Sequence, residues 1–498
     1  MLDVPYPDFL CGLQLPEHLK YVCSVAGLPS PDLSGGFTYC DLGCGQGRTA
    51  SAIAALHPDA QIWGLDLSVD HILAARAFAE RATLKNAIFM AVDLANFDPL
   101  SLPPLDFISM HGVWAWVPEQ VREGILNLVM QRLKPGGLCY VSYNAMPGSV
   151  SLGAIRRMCL DLLEDGQTEN LGVLLPQALN QLRSLSQADG LFFQKHPIAE
   201  QVIATADKAD LRYMAHEYLA DKWEPMSIKQ VADTMRGAGL TWASSCILAH
   251  RLHAEGLPPQ LLQEIDREKD RIRREVLFDI CLNRQFRADI SLKADDFTTK
   301  ERMLENFHFA LTTTRQAVPQ RAVSEGTEID TGLAPIPLIL DALADEVLSF
   351  MQLSTKQSFG IDVADLAEVL MALVVVDVIR PLPTGSIVSY AKKPIPPGAD
   401  LHPFNKAALA TKHPEQPVTM IAPAFGGIVS IPPLDVALLE THLAKDRFLD
   451  VSGLRATLAE SGISIFESSN DRTTKVPSAI ARFGLETQPK LQRLSMLN

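Results

Sequence analysis

The sequence predicts an α/β fold: a doubly wound, Rossmann-like parallel sheet in its first half, followed by helical and mixed α+β regions. Three observations carry that expectation. Short apolar stretches alternate with helix-length stretches between residues 37 and 143. A glycine-rich loop follows the first apolar stretch, and the turn Leu133-Lys134-Pro135-Gly136-Gly137 announces the last.

The strands expected are Phe37–Leu42, Gln61–Leu67, Ala87–Val92, Asp106–Met110 and Leu138–Tyr143. Helical stretches lie between them at Ala50–Leu56, His71–Ala82 and Val121–Leu133. From Ser151 the pattern turns helical, and a β-rich piece near Gly239-Leu240-Thr241-Trp242 reads as a late return to the sheet. Residues 151 to about 225 then form a mostly helical insertion over the strand ends. Residues 259–290 read as charged helix with a solvated face. Helices are expected at Leu338–Leu353 and Val363–Asp377, with a wing-like strand at Ile387–Tyr390.

At roughly 150 residues per domain, 498 residues suggest about three domains. The divisions expected are residues 1–250 for the sheet domain, 251–334 for a charged middle region, and 335–498 for a C-terminal winged-helix-like α+β module.

Lys and Arg number 44 against 58 Asp and Glu, a formal net charge of −14. Such a chain repels phosphate backbones, which disfavours general nucleic-acid binding. Residues 1–7 lack a basic, then apolar, leader pattern, so a cytoplasmic location is expected. The apolar run Val369–Val376 is far too short to span a bilayer. Eight cysteines show no C-x-x-C pair and no zinc-like spacing, so reduced buried thiols and no metal site are expected.

The most informative stretch is Asp41-Leu42-Gly43-Cys44-Gly45-Gln46-Gly47-Arg48. Glycines let the backbone turn tightly and let a ligand approach its amides. The dinucleotide fingerprint wants a glycine at the sixth position, where Arg48 stands. A tight G-x-G-x-G preceded by an acid instead resembles the loop of class I S-adenosylmethionine-dependent methyltransferases. Asp66 ends the second strand, where a carboxylate can accept both ribose hydroxyls. Asp93 ends the third and can accept from an adenine amino group. Acids at strand ends also simply cap helices, the alternative at both positions.

Reactive groups of open α/β sheets gather at the carboxyl ends of the strands. There stand His111-Gly112-Val113-Trp114-Ala115-Trp116-Val117-Pro118 and Ser142-Tyr143-Asn144-Ala145-Met146-Pro147-Gly148. Trp114, Trp116 and Tyr143 suit an alkyl-ammonium by cation–π contact. His111 or the Tyr143 hydroxyl is the candidate for assisting proton loss. The alternative for His111 is a hydrogen bond to a backbone group, and for Asn144 a place in the turn before Pro147-Gly148. No N/D-P-P-Y motif of amide and nucleobase methylation is present.

Together these stretches resemble class I methyltransferases carrying a methyltransferase regulatory domain, whose best-known members are the rickettsial protein-lysine methyltransferases. Tyr213–Leu219 and Asn283-Arg284-Gln285-Phe286-Arg287-Ala288-Asp289 are similar to that family's middle region. The likeness is strong over about residues 1–290 and looser beyond. It implies S-adenosylmethionine binding by Gly43, Gly45, Gly47, Asp66 and Asp93, with His111 close to the cofactor; Asp41 and Gln46 complete the loop. The acceptor-side residues are His111, Trp116, Tyr143 and Asn144. Ala115 departs from the pattern, where a small hydroxylated residue is expected. His216-Glu217 is no zinc motif, because position 220 is Ala.

The activity expected is methyl transfer to an amine, foremost a protein lysine. A small-molecule methyltransferase and a non-catalytic cofactor-binding regulator are the alternatives.

Overall fold

The computed structural model describes residues 8–163, 171–206, 214, 216–218, 220, 222–294, 304–324, 326–383, 401–412, 416–423, 426–443 and 483. Its centre is a seven-stranded sheet. Strands β1 (Thr38–Leu42), β2 (Gln61–Asp66), β3 (Ala87–Ala91), β4 (Leu105–Met110) and β5 (Leu133–Asn144) are parallel, and β6 (Thr241–Ser245) and β7 (Phe286–Leu292) complete it. The order is β3-β2-β1-β4-β5-β7-β6, with β7 antiparallel to both neighbours. The order of strand addition reverses between β1 and β4, so the carboxyl ends of β1, β2, β4 and β5 face one crevice.

The central strands β1, β4 and β5 are buried on both faces, as parallel strands at the middle of a covered sheet are. Tyr39, Phe107, Leu138 and Tyr140 enter the core on one side, while Cys40, Leu42, Ile108, Met110, Cys139 and Val141 enter it on the other. Helices α1 (Pro16–Val25), α2 (Arg48–Leu56), α3 (Val69–Arg81) and α4 (Glu119–Arg132) cover these faces. Ser68 caps α3 by accepting from the His71 amide at 3.2 Å. Helix α5 (Val150–Leu162) opens the insertion, which is helical as expected and carries its own core around Ile155, Cys159, Leu175 and Phe193.

Three expectations need correction. The sheet does not end near residue 250, because β7 comes from 286–292 and separates β5 from β6. The charged stretch 259–290 is helical only over Pro259–Asp266 and Arg271–Leu282. Asn283 adopts the left-handed conformation (φ 48°), ends the helix and sends the chain into β7. The helix expected at Leu338–Leu353 is broken into Ile336–Ala342 and Phe350–Ser354. Between them Leu348–Ser349 pairs with β8 (Phe307–Leu311), and Ser349 caps the second helix in a reciprocal box with Gln352.

The C-terminal half pairs helix Val363–Val375 with strand Ile379–Pro383, which joins β8. In that sheet β8 is the central strand, and it precedes the expected boundary at 335. The wing expected at Ile387–Tyr390 lies outside the described residues. A further unit holds helix Pro403–Ala410, the hairpin Val418–Ala422/Gly427–Ile431 and helix Pro433–Leu443. It packs on the first domain, with Phe404 edge-on to Phe78 of α3 at 5.1 Å.

Candidate functional site

The glycine loop sits between β1 and α2. Gly43, Gly45 and Gly47 all take positive φ, at 68°, 55° and 72°. A Cβ at Gly43 would lie 2.4 Å from Val113, and one at Gly47 would lie 2.6 Å from Phe89 and 2.7 Å from Ala75. Nothing lies within 4 Å of the same position at Gly45. The outer glycines therefore allow close packing, while the middle one faces open space where a ligand can meet the backbone.

Asp66, at the end of β2, fastens this loop from below. Its Oδ2 accepts from the Gly45 amide at 2.8 Å, and its Oδ1 accepts from Ser68 N at 2.9 Å. His71 stands 3.3 Å from Oδ1, and that bond raises its pKa. Each Asp66 oxygen retains acceptor capacity for hydroxyl groups. Asp93 is exposed and accepts from Ala95 N at 3.0 Å and Asn96 Nδ2 at 2.8 Å, so it also braces its own turn. Gln46 is half-buried in the loop.

Asp41 is a correction. It is buried beneath the loop, where Oδ1 accepts from Gln14 Nε2 and Ser109 Oγ, both at 2.8 Å. Burial pushes its pKa up to about 7. It locks β1 to β4 and to the N-terminal arm, with no surface left for a ligand.

That arm, residues 8–15, carries no motif and was not legible beforehand. Asp8 pairs with Arg48, whose guanidinium lies 3.6 Å over the Phe78 ring. Cys11 N donates to Thr49 Oγ1 at 3.0 Å. Phe9, 58% exposed, stacks on His111 with ring centroids 5.6 Å apart.

His111 follows β4. Its Nδ1 is 2.8 Å from Tyr140 Oη, 3.2 Å from Ser142 Oγ and 3.4 Å from Cys11 Sγ. Desolvation lowers its pKa to about 4, so the ring is neutral near pH 7. A group so weakly basic cannot take a proton from an alkyl-ammonium, which removes His111 as the expected base.

Tyr143 is the second correction on the acceptor side. It is 1% exposed, and its hydroxyl donates to Asp289 Oδ2 at 2.7 Å. Asp289 in turn takes the Arg287 guanidinium at 2.8 and 2.9 Å, and Arg287 reaches Asp279 at 2.6 Å. Strand alternation turns Tyr143 into this sealed network, away from the crevice.

Trp116 and Asn144 do meet, through a residue that sequence reasoning missed. Trp223 donates its indole hydrogen to Asn144 Oδ1 at 3.0 Å, and its ring lies 6.2 Å from that of Trp116. The Arg156 guanidinium stands 5.6 Å over each ring and donates to the carbonyls of Glu217 and Ala220. Residues 222–226 thus form a strap over the ends of β4 and β5. Glu224 N donates to Ala115 O, Met226 N to Asn144 O, and Arg122 pairs with Glu224. His216 and Glu217 are half-buried in the segment that Arg156 anchors.

Comparison with known proteins decides what this arrangement is. Residues 33–230 match a family model described as a methyltransferase domain. Residues 210–293 match one described as a predicted methyltransferase regulatory domain.

The chain is a class I, S-adenosylmethionine-dependent methyltransferase.

This methyltransferase is 27% identical over 458 residues to an uncharacterized protein of Synechocystis, covering 90% of this chain and 88% of the relative. It is also 27% identical over 291 residues to an uncharacterized protein of Rickettsia prowazekii, covering 58% and 51%. The solved structure of PKMT2 from Rickettsia typhi in complex with AdoHcy shares the fold, with a TM-score of 0.74 over 99% of both chains at 19% identity. The regulatory-domain match includes the strap, β6 and β7, so that domain shares a sheet with the methyltransferase domain.

The residues present fit the cofactor, on the evidence of the open cradle at Gly45 and the acceptor capacity of Asp66. Bound S-adenosylmethionine supplies an electrophilic methyl group; the protein's part is to hold it and to align an attacking lone pair. Among the described residues no cluster of His, Cys, Asp or Glu is arranged to hold a metal ion, and no helix is long and apolar enough to cross a membrane.

Proposed function

We propose that this methyltransferase N-methylates lysine side chains of a protein. The observation that carries the reading is the paired tryptophan wall, Trp116 and Trp223, at the ends of β4 and β5 beside the glycine loop. The two rings, braced by Arg156, would pack against a four-carbon chain and exclude water around the attacking amine. The net charge of −14 favours approach of a basic polypeptide. The fold shared with PKMT2 points the same way.

In this reading Gly43, Gly45, Gly47, Gln46, Asp66 and Asp93 hold the cofactor, with Asp66 on its ribose. His111 walls the pocket as a neutral ring. Asp41 and Tyr143 brace the site without touching either substrate. The amine enters already neutral, because neither His111 nor Tyr143 is able to accept its proton. We place the catalytic unit at residues 1–294 and a separate docking role in the C-terminal units.

The experiment is label transfer from methyl-tritiated S-adenosylmethionine into a cell lysate, split afterwards by size. Label in the protein fraction supports the reading. Label confined to small molecules favours a metabolite acceptor, and sinks it.

A further inference from the structure

Asn144 closes β5 where the strap crosses it. Its Oδ1 accepts from Trp223, and an indole nitrogen only donates, so this contact settles which end of the amide points where. The oxygen faces Trp223 and the NH2 group faces away. Among the described residues Nδ2 makes no hydrogen bond, and the half-buried side chain is not sealed.

The backbone here is fixed as firmly. Asn144 O accepts from Met226 N at 3.0 Å, and Met146 N donates to Met226 O at 3.1 Å. Trp223 itself is held by the Trp116 ring, by Arg156 and by α5, where a Cβ at Gly153 would fall 2.9 Å from the indole. Nothing in this arrangement lets the amide turn over without losing the indole bond.

An amide donor without a partner repels an ammonium hydrogen and recruits an oxygen. Every lysine in a polypeptide carries carbonyl oxygens next to it, and a free alkylamine has none. We propose that Trp223 is a positioning residue: by holding Oδ1 it presents the NH2 of Asn144 to a backbone carbonyl of the substrate beside the reacting lysine. The inference rests on the lysine reading and makes the strap, where the two family matches overlap, a contributor to acceptor selection.

Two variants separate the parts. W223F keeps a ring and loses the indole hydrogen. N144D keeps an oxygen for Trp223 and loses the donor. The acceptors are an acetylated, amidated peptide with one central lysine, and pentylamine, which has no carbonyl. Binding of S-adenosylhomocysteine is followed by calorimetry. We expect KM for the peptide to rise about tenfold in both variants, the effect of one lost hydrogen bond. Cofactor affinity should stay as in the unaltered protein, and any transfer to pentylamine should fall less than transfer to the peptide.

An unchanged peptide KM in N144D overturns the inference, and so does an equal loss with pentylamine. If W223F fails to fold, N144D decides alone. Failure of the unaltered protein to methylate either acceptor overturns the lysine reading itself, and this inference with it.

Discussion

The carboxylate of Asp66 accepts the amide hydrogen of Gly45 at 2.8 Å, joining the end of β2 to the one loop glycine that faces open space. One side chain therefore shapes the loop and offers acceptors to a ligand. D66A should weaken S-adenosylhomocysteine binding by ten- to a hundredfold, since charge-assisted hydrogen bonds are each worth about 1.5–3 kcal/mol. Calorimetry checks this, and cofactor-induced thermal stabilisation should vanish with it. Undiminished stabilisation would refute the ribose assignment.

Two of the loop glycines should separate by mutation. G45A meets no neighbour, so its cost to folding is the backbone strain of a positive φ, about 1 kcal/mol. Its damage should fall on cofactor binding. G47A drives a methyl group into Phe89 and Ala75 and should cost about 2 kcal/mol or more in stability. Urea unfolding beside calorimetry distinguishes the two; equal loss of stability would contradict the assignment.

Tyr143→Phe should lower stability by about 1–3 kcal/mol, because Asp289 loses a donor inside a sealed network. The turnover of the folded fraction should hardly change. A large fall in kcat at unchanged melting temperature would return Tyr143 to the acceptor site. R287M should cost more, about 3–5 kcal/mol, by removing a guanidinium shared by two buried carboxylates.

How much of this was legible beforehand divides along physical lines. Strands β1 to β5, the loop and the helical insertion follow from local periodicity and punctuation, which a single stretch of chain displays. Strand β7 does not, because an antiparallel return from residue 286 depends on Tyr143 facing Arg287 across the sheet. The same register explains the error over Tyr143: residue type and position at a strand end were visible, but not which face it takes. Asp41 was misread for the matching reason, since only tertiary contact with Gln14 and Ser109 reveals that its carboxyl is used up. Trp223 pairs with a residue 79 positions away and carried no motif.

Asp41 should leave a signature in stability against pH. Its carboxyl pKa is raised in the folded state to about 7, against about 3.9 unfolded, so the native protein binds the extra proton. Its contribution is complete below pH 4 and is lost as pH rises to about 7. D41N, which keeps an acceptor for Gln14 and Ser109, should flatten the stability curve over that window. Urea midpoints between pH 4 and 8 check it, and an unchanged slope would show that Asp41 ionises normally.

The rate of methyl transfer should rise tenfold per pH unit below the pKa of the acceptor amine, because the amine must lose its proton to solvent before it enters. His111, held down to about 4, should add no inflection near neutrality. A kcat/KM profile for the lysine peptide between pH 6 and 10 measures this. A plateau beginning near pH 7 would reveal a base that the geometry does not provide.

The central claim is that the methyl group arrives on a lysine nitrogen. The direct measurement is peptide mass spectrometry of lysate proteins incubated with the purified enzyme and deuterated-methyl S-adenosylmethionine. The account predicts labelled methyl groups on lysine side chains, absent when D66A replaces the unaltered enzyme. Label on carboxylates or on nitrogen other than lysine, or no labelled peptide at all, would contradict it.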